Sequence, residues 1–506
     1  MVLQQNCSMR IWGKAEPKEK LKIKFNEQTV AAVADAKGNW AVNIETGAAG
    51  GPYQLEVASE TNDTKVVFSN VLVGEVWVCG GQGNMSVPVS ETESAQADIA
   101  GAKNFPQVRL FQVDQLASNE ELADFAKVDP WFCCSSDTIK DFSAIGYFYA
   151  RELSAKMDVP IGLIQLAGGP IALESWIPTS ILKAEEFTEL LEHWSNQNAP
   201  SNPQAASSLF NGMVSPLAQT PIAGVIWSHG TANIGRGEQY SRLFPLFIKS
   251  WRAHFRSNEL PFYFVQPAPY RFEDLATDAL PEIWDAQLKT FKSSSKLGMV
   301  VTTDLADSQL VHNKHKLTIA KRLSDWAFSG CYFAAVNKTK PPSTDQKPNQ
   351  DDKAETQKAE TQNDPDGSDV AEAVGETSEI TDSGNDSSAD NSALSKNACS
   401  GPIYESAKTE GNTIIVEFRY AQGGLKIDSD LENCFSICGA DKKFMPAKAR
   451  VDGSKLVVSH PDIEKPVAVR YAWKDTAQPV LTNSTGLPAA PFRTDAFTLT
   501  SSGIEF

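Results

Sequence analysis

The chain reads as an α/β protein, a parallel sheet with helices on both faces, flanked at each end by antiparallel β-sandwich-like segments. Three observations predict this. Residues 71 to 335 alternate apolar strand-like runs with stretches of helical length, the pattern of a parallel sheet covered on both sides. Residues 1 to 70 and 399 to 506 alternate apolar and polar residues singly, the period of half-buried strands. Between these two textures, Val76-Trp77-Val78-Cys79-Gly80-Gly81-Gln82-Gly83-Asn84-Met85 joins an apolar run to a Gly-rich turn and a helix start. A strand–turn–helix corner of this kind is a place where a fold can display a nucleophile.

Taken in order, Leu21–Phe25, Trp40–Ile44 and Tyr53–Val57 each alternate apolar with polar residues, and Asn26-Glu27 and Lys37-Gly38-Asn39 supply turns between them. These form a β module over residues 1–70. In the central segment, 71–336, Val71–Val78, Val159–Leu166 and Leu297–Thr302 read as strands, and Ala144–Met157, Tyr240–Phe255 and Leu317–Phe328 as helices. Ligand groups in such sheets gather at the carboxyl ends of the strands. Residues 337–398 are of low complexity, with Lys353-Ala354-Glu355-Thr356-Gln357 repeated as Lys358-Ala359-Glu360-Thr361-Gln362. No aromatic residue occurs between Pro341 and Cys399, so this insert is expected to stay disordered, unable to offset its ordering entropy by burial. In the last module, 399–506, Thr413–Phe418 and Lys455–Ser459 are strands and Asp452-Gly453 is a hairpin turn.

At 506 residues and 41% hydrophobic content, a sizeable core can be buried. The net charge of −17 is concentrated in the insert, where residues 341–395 carry 14 acids against three lysines. No basic stripe exists, so nucleic acid is not an expected partner. No apolar run is long enough to span a membrane. Eight cysteines are too few for a disulfide-built scaffold; Cys434 and Cys438 are either a pair or two buried thiols. No cluster has zinc-ligand spacing, so neither metal nor cofactor is expected.

The Cys79–Met85 run resembles the first block of the sialate O-acetylesterase family, whose usual form is Cys-Ser-Gly-Gln-Ser-Asn-Met. The likeness extends along most of the chain. It is carried also by Met1-Val2-Leu3-Gln4-Gln5, Ile11-Trp12-Gly13, Leu209–Leu217, Gly224-Val225-Ile226-Trp227, Pro261–Gln266, Ser400–Tyr404, Val467–Trp473 and Pro491–Asp495. The resemblance implies an SGNH-hydrolase fold, an O-acetylated sugar or glycan as partner, and an extracytoplasmic location, periplasmic or secreted, although no signal peptide is seen. Oligomeric state is not legible. The family reaction is hydrolysis of acetyl esters on sugars by a serine, a histidine and an acid.

Against that pattern the chain departs at several positions. Gly83 stands at the nucleophile serine's place, and glycine cannot form an acyl-enzyme. His312, in Thr303–Lys316, falls on the catalytic histidine. The acid expected two residues earlier is Leu310, which leaves Asp307 or Asp304 as alternatives. Ala167-Gly168-Gly169-Pro170 resembles a Trp-Gly-Gly-Thr block, in which Gly168 and Gly169 would let backbone N–H groups approach an oxyanion. Trp227-Ser228-His229-Gly230-Thr231-Ala232-Asn233 stands where the family has Trp-Tyr-Gln-Gly-Glu-Ser-Asn. Gln82, Asn84, His229 and Asn233 are therefore the expected substrate or oxyanion contacts. Ser86, one helical turn beyond Gly83, and Ser228 are the candidate replacement hydroxyls. The expected function is a carbohydrate-binding pseudo-esterase. The alternatives are an active carbohydrate esterase, and an adhesion or surface-assembly protein that uses only its β portions.

Overall fold

The structure is a computed structural model that describes residues 1–125, 127, 129–195, 202–307, 310–334, 399–427, 434–477 and 481–506. The acidic insert assigned to 337–398 lies outside the described residues, as do Ser308 and Gln309 in the loop before His312.

Six short strands open the chain: β1 (Val2–Gln4), β2 (Ser8–Lys14), β3 (Lys20–Phe25), β4 (Gln28–Val33), β5 (Asn39–Glu45) and β6 (Gly50–Ser59). Single-residue alternation puts Leu21, Ile23 and Phe25 on one face of β3, all buried. They meet Trp40 and Ile44 of β5 in a small core of their own, with Val71 and Val73 of the next strand. That strand, β7 (Lys65–Gly81), has 17 residues and two roles. Its first half pairs antiparallel with β6 and parallel with β1. Its second half is the first strand of the central sheet. The Gln4 amide donates to the buried carboxylate of Glu75 at 3.0 Å, fastening the opening Val-Leu-Gln run to β7 at this change of role.

The central sheet adds β8 (Val108–Gln112), β9 (Phe132–Cys133), β10 (Ile161–Ala167), β11 (Gly224–Ser228), β12 (Phe262–Val265) and β13 (Leu297–Val300). Its order is β13-β12-β11-β7-β10-β8, all parallel, with β9 antiparallel on the β8 edge. β11, β12 and β13 are buried along their whole length, as uninterrupted apolar runs in a covered parallel sheet must be. The helices that cover the sheet are α1 (Gly83–Ser86), α2 (Ala144–Met157), α3 (Gly237–His254), α4 (Ala279–Ser293) and α5 (Lys316–Ala327). Register shows that they lie on both faces. Gly224 pairs with Trp77 and Trp227 with Gly80, so the two tryptophans point to opposite sides. Trp77 meets Tyr149 of α2 at 5.3 Å; Trp227 meets Phe247 and Trp251 of α3 at 4.6 and 5.4 Å.

Chain connections run from β7 to one side, through β8 and β10, and then cross to β11 on the other. The carboxyl end of β7 is thus the switch point of the sheet, the place where ligands bind in open sheets of this kind. Residues 399 onward form antiparallel sheets, including the Lys448–Asp452 and Lys455–Ser459 hairpin. They dock on α4 through a buried ion pair, Arg493 Nε to Asp285 Oδ2 at 3.0 Å. None of the eight cysteines forms a disulfide. Among the described residues no helix is long and apolar enough to cross a membrane.

Candidate functional site

The site forms where β7 runs out. Gly81 takes φ +134°, and a Cβ there would stand 3.0 Å from Ser228 N with the Ser228 carbonyl oxygen nearer still, so only glycine fits. The turn is closed by Gln82 N donating to Ser228 O at 3.0 Å and by Gly168 N donating to Gly81 O at 3.2 Å. Three strand ends, those of β7, β10 and β11, are therefore knotted together beneath α1. Met85, wholly buried, anchors α1 against Ser143 at the start of α2, whose hydroxyl lies 3.3 Å from its sulfur.

Gly83 opens α1, and His312 lies directly over it. A Cβ built on Gly83 would stand 2.6 Å from His312 Cε1 and nearer still to Nε2. The imidazole thus occupies the space a side chain at position 83 would need. His312 is exposed, and its proton affinity is lowered by partial burial first and by the charge of Lys316 second, with Glu91 acting the other way. Among the described residues no carboxylate bonds to this ring. Asp304 is committed to Arg322, accepting from both Nη1, at 2.8 Å, and Nη2. The carbonyl of Asp307 accepts from Leu310 N at 3.4 Å. Leu310 itself is 41% exposed.

The other wall is a closed polar network. Gln82 Nε2 donates to Thr231 Oγ1, and Gln82 Oε1 accepts from Gly230 N at 3.1 Å and Ala232 N at 3.4 Å. Asn233 Oδ1 accepts from Leu173 N at 3.0 Å, while Asn233 Nδ2 donates to Glu174 Oε2 at 3.1 Å. Glu174, fully buried, also accepts from Arg236 Nη1 at 2.8 Å. Both ends of Gln82 and of Asn233 are therefore engaged with protein groups. His229 is 3% exposed and stacks between Trp227 and Tyr240. Its Nε2 donates to Ile171 O at 2.9 Å, leaving buried Nδ1 without a partner. Burial pushes its pKa down to about 4, so this ring is a neutral strut under the Ile171 turn.

Gly169 closes on the corner: a Cβ there would lie 2.9 Å from Gly83 N. Among the described residues neither the Gly83 nor the Gly169 amide has an acceptor, whereas the Gly168 amide is taken by Gly81. The Gln115 side chain lies over Gly168, with its Cδ 2.9 Å from where a Cβ would be. Asn84 bridges outward, its Nδ2 donating to Val311 O at 3.2 Å and its Oδ1 accepting from Lys316 Nζ at 2.5 Å. Of the serines, Ser86 has its hydroxyl buried without a partner, and Ser228 lends its carbonyl to the Gln82 turn.

So the structure brings Gly83, His312, Asn84 and Gly169 together and commits Gln82, Asn233 and His229 to protein partners. Sequence reasoning missed Lys316, the Glu174–Arg236 pair and Gln115. The first carried a signal only in hindsight of the fold, because it lies four residues past His312, at the start of α5. Among the described residues no group of three or more His, Cys, Asp or Glu side chains could hold a metal ion.

Residues 73–327 match a family described as carbohydrate esterase, sialic acid-specific acetylesterase. Human sialate O-acetylesterase is 27% identical over 357 residues, spanning 64% of this chain and 68% of its own length. The mouse sialate O-acetylesterase is 27% identical over 380 residues, spanning 64% of this chain and 70% of its own. A carbohydrate acetylesterase from Xanthomonas citri superposes with a TM-score of 0.78 at 26% identity, covering 98% of this chain and 97% of that one.

Proposed function

We propose, from the premise that the chain belongs to the carbohydrate esterase family of sialic acid-specific acetylesterases, that it binds an O-acetylated sugar or glycan at this corner without cleaving it. The family reaction needs a hydroxyl, a base within hydrogen-bond reach of it, and an acid that orients the base. One observation carries the reading. The position that should hold the hydroxyl is Gly83, and the imidazole that should sit one hydrogen bond away has closed into the vacated volume. The absence of a carboxylate bonded to His312 among the described residues supports it. What remains suits binding. The Gly83 and Gly169 amides are available to an acyl oxygen, the charge-assisted network around Glu174 keeps the wall rigid, and an exposed ring borders the opening.

Ser86 offers no ready substitute. It lies three residues beyond Gly83 on α1, and one helical turn of displacement is far more than a near-attack geometry of about 3–3.5 Å allows. We further place the protein outside the cytoplasm, on the family likeness.

The test is direct. The purified protein should give no turnover on p-nitrophenyl acetate or 9-O-acetyl sialic acid and no adduct with a serine-directed phosphonate, while a glycan array shows retention of O-acetylated sugars. A stoichiometric phosphonate adduct, or steady release of acetate, would sink the pseudo-esterase and leave an active carbohydrate esterase in its place.

A further inference from the structure

Lys316 is the first residue of α5 and has no exposed surface at all. Among the described residues no carboxylate pairs with it, and the one hydrogen-bond partner of its Nζ is the neutral Asn84 Oδ1 at 2.5 Å. Burying an ammonium without a counter-charge costs several kcal/mol, and the amino end of a helix is itself unfavourable for a cation. A methionine or leucine would fill the same volume without either cost. The place where this cost is borne is the rear of the candidate site. Asn84, which receives the lysine, adjoins Gly83, and its amide donates in turn to Val311 O beside His312.

We propose that Lys316 is a positioning residue of this site: its Nζ fixes the Asn84 carboxamide, and through it the loop that carries His312, with a positive charge held behind the imidazole. Asn84 has one acceptor and one donor end, and a purely donating lysine permits only the orientation in which Nδ2 faces the Val311 carbonyl. The amide is held in that orientation while the lysine is an ammonium. The same cation acts on His312 through space. Burial lowers the pKa of Lys316 to about 7, so the ammonium is charged below that pH, in the range where a histidine ordinarily takes up its proton. There it opposes that uptake. Glu91, on the turn Val89–Glu91, is the charged group that acts in the opposite direction. Proton uptake by the imidazole is thereby disfavoured, which favours the neutral ring that can accept a hydrogen bond from a sugar hydroxyl. This use of the ring rests on the binding function proposed above; the electrostatic link does not.

The experiment is a pH titration of the His312 ring by NMR in the full chain, for the native protein and for Lys316→Gln, Lys316→Met and Lys316→Arg. The glutamine amide retains a donor for Asn84 without the charge, so its His312 midpoint should move up, toward the ordinary value. Methionine should move it up as well and, in addition, speed exchange of the Asn84 side-chain amide protons. Arginine should leave the midpoint low and extend the effect to higher pH. A His312 midpoint unchanged in both Lys316→Gln and Lys316→Met, with each variant folded by circular dichroism, overturns the proposal, because a merely structural lysine would alter stability without moving the ring. If the native protein binds no glycan, the function above fails, while these midpoints still decide the role of Lys316.

Discussion

The two walls of the corner have met sequence change differently. On the wall built from Ser228–Arg236 and the Leu173–Trp176 turn, Thr231 stands where the family pattern has a glutamate, and the polar groups around it are partnered, although His229 Nδ1 and Trp176 Nε1 on the same wall are not. The hydroxyl accepts from Gln82, Gln82 takes two backbone amides, and Asn233 and Arg236 share Glu174. On the His312 wall the changes at Gly83 and Leu310 find no such compensation. The ring settles over the glycine, and a leucine side chain stands in solvent where an acid would orient it. Reactive groups and scaffold groups are therefore separable. A buried polar network penalises any unsatisfied member, whereas position 83 carries no polar side chain that has to be satisfied.

The sharpest way to break this contrast is to restore the reactive wall. Gly83→Ser alone is expected to gain little on p-nitrophenyl acetate, because the ring must first retreat and still lacks an orienting acid. Gly83→Ser with Leu310→Asp should exceed the single variant by up to about 10^4-fold in kcat, the scale of losing the acid of a Ser-His-Asp triad. Equal rates in the two would show that Asp307 or another acid already serves His312. The scaffold wall is tested by stability. Glu174→Ala leaves Arg236 and Asn233 without their shared acceptor and should cost about 4 kcal/mol in urea unfolding, the range for breaking a buried ion pair. Leu310→Ala, at an exposed position, should stay within about 0.5 kcal/mol. Similar losses at the two sites would erase the distinction.

A further test concerns pH. His229 is neutral when folded, with its pKa pushed down to about 4 by burial, while the unfolded chain protonates it near 6.5. Its contribution is complete above about pH 6.5, fades as the pH falls toward 4, and changes no further below that. At most about 3 kcal/mol is involved across this window. His229→Gln should flatten that part of the stability–pH curve, and an unaltered slope between pH 6.5 and 4 would mean that the ring is protonated in the fold.

Much of the architecture was legible because its signals are local. The apolar runs of β10 and β13, and the helical stretches now seen as α2, α3 and α5, all announce themselves within a dozen residues. So does the Gly80–Gly83 turn. The meeting of Gly83 with His312 was legible only through the family likeness, since 229 residues separate them. What the sequence could not convey is which polar groups satisfy one another. Gln82 and Asn233 look like ligand contacts in isolation, but their partners lie about 150 and 60 residues away. Burial of Lys316 was hidden for the same reason, because an amino-terminal lysine of a helix ordinarily lies in water.

The length of β7 has a consequence for how this protein can be divided. One unbroken ribbon of 17 residues begins among the strands of the opening β module and finishes at the Gly81 turn. A cut anywhere near residue 70 would leave the site hanging from a severed edge. Engineers who wish to graft the central α/β unit onto another carrier must therefore take the first eighty residues with it.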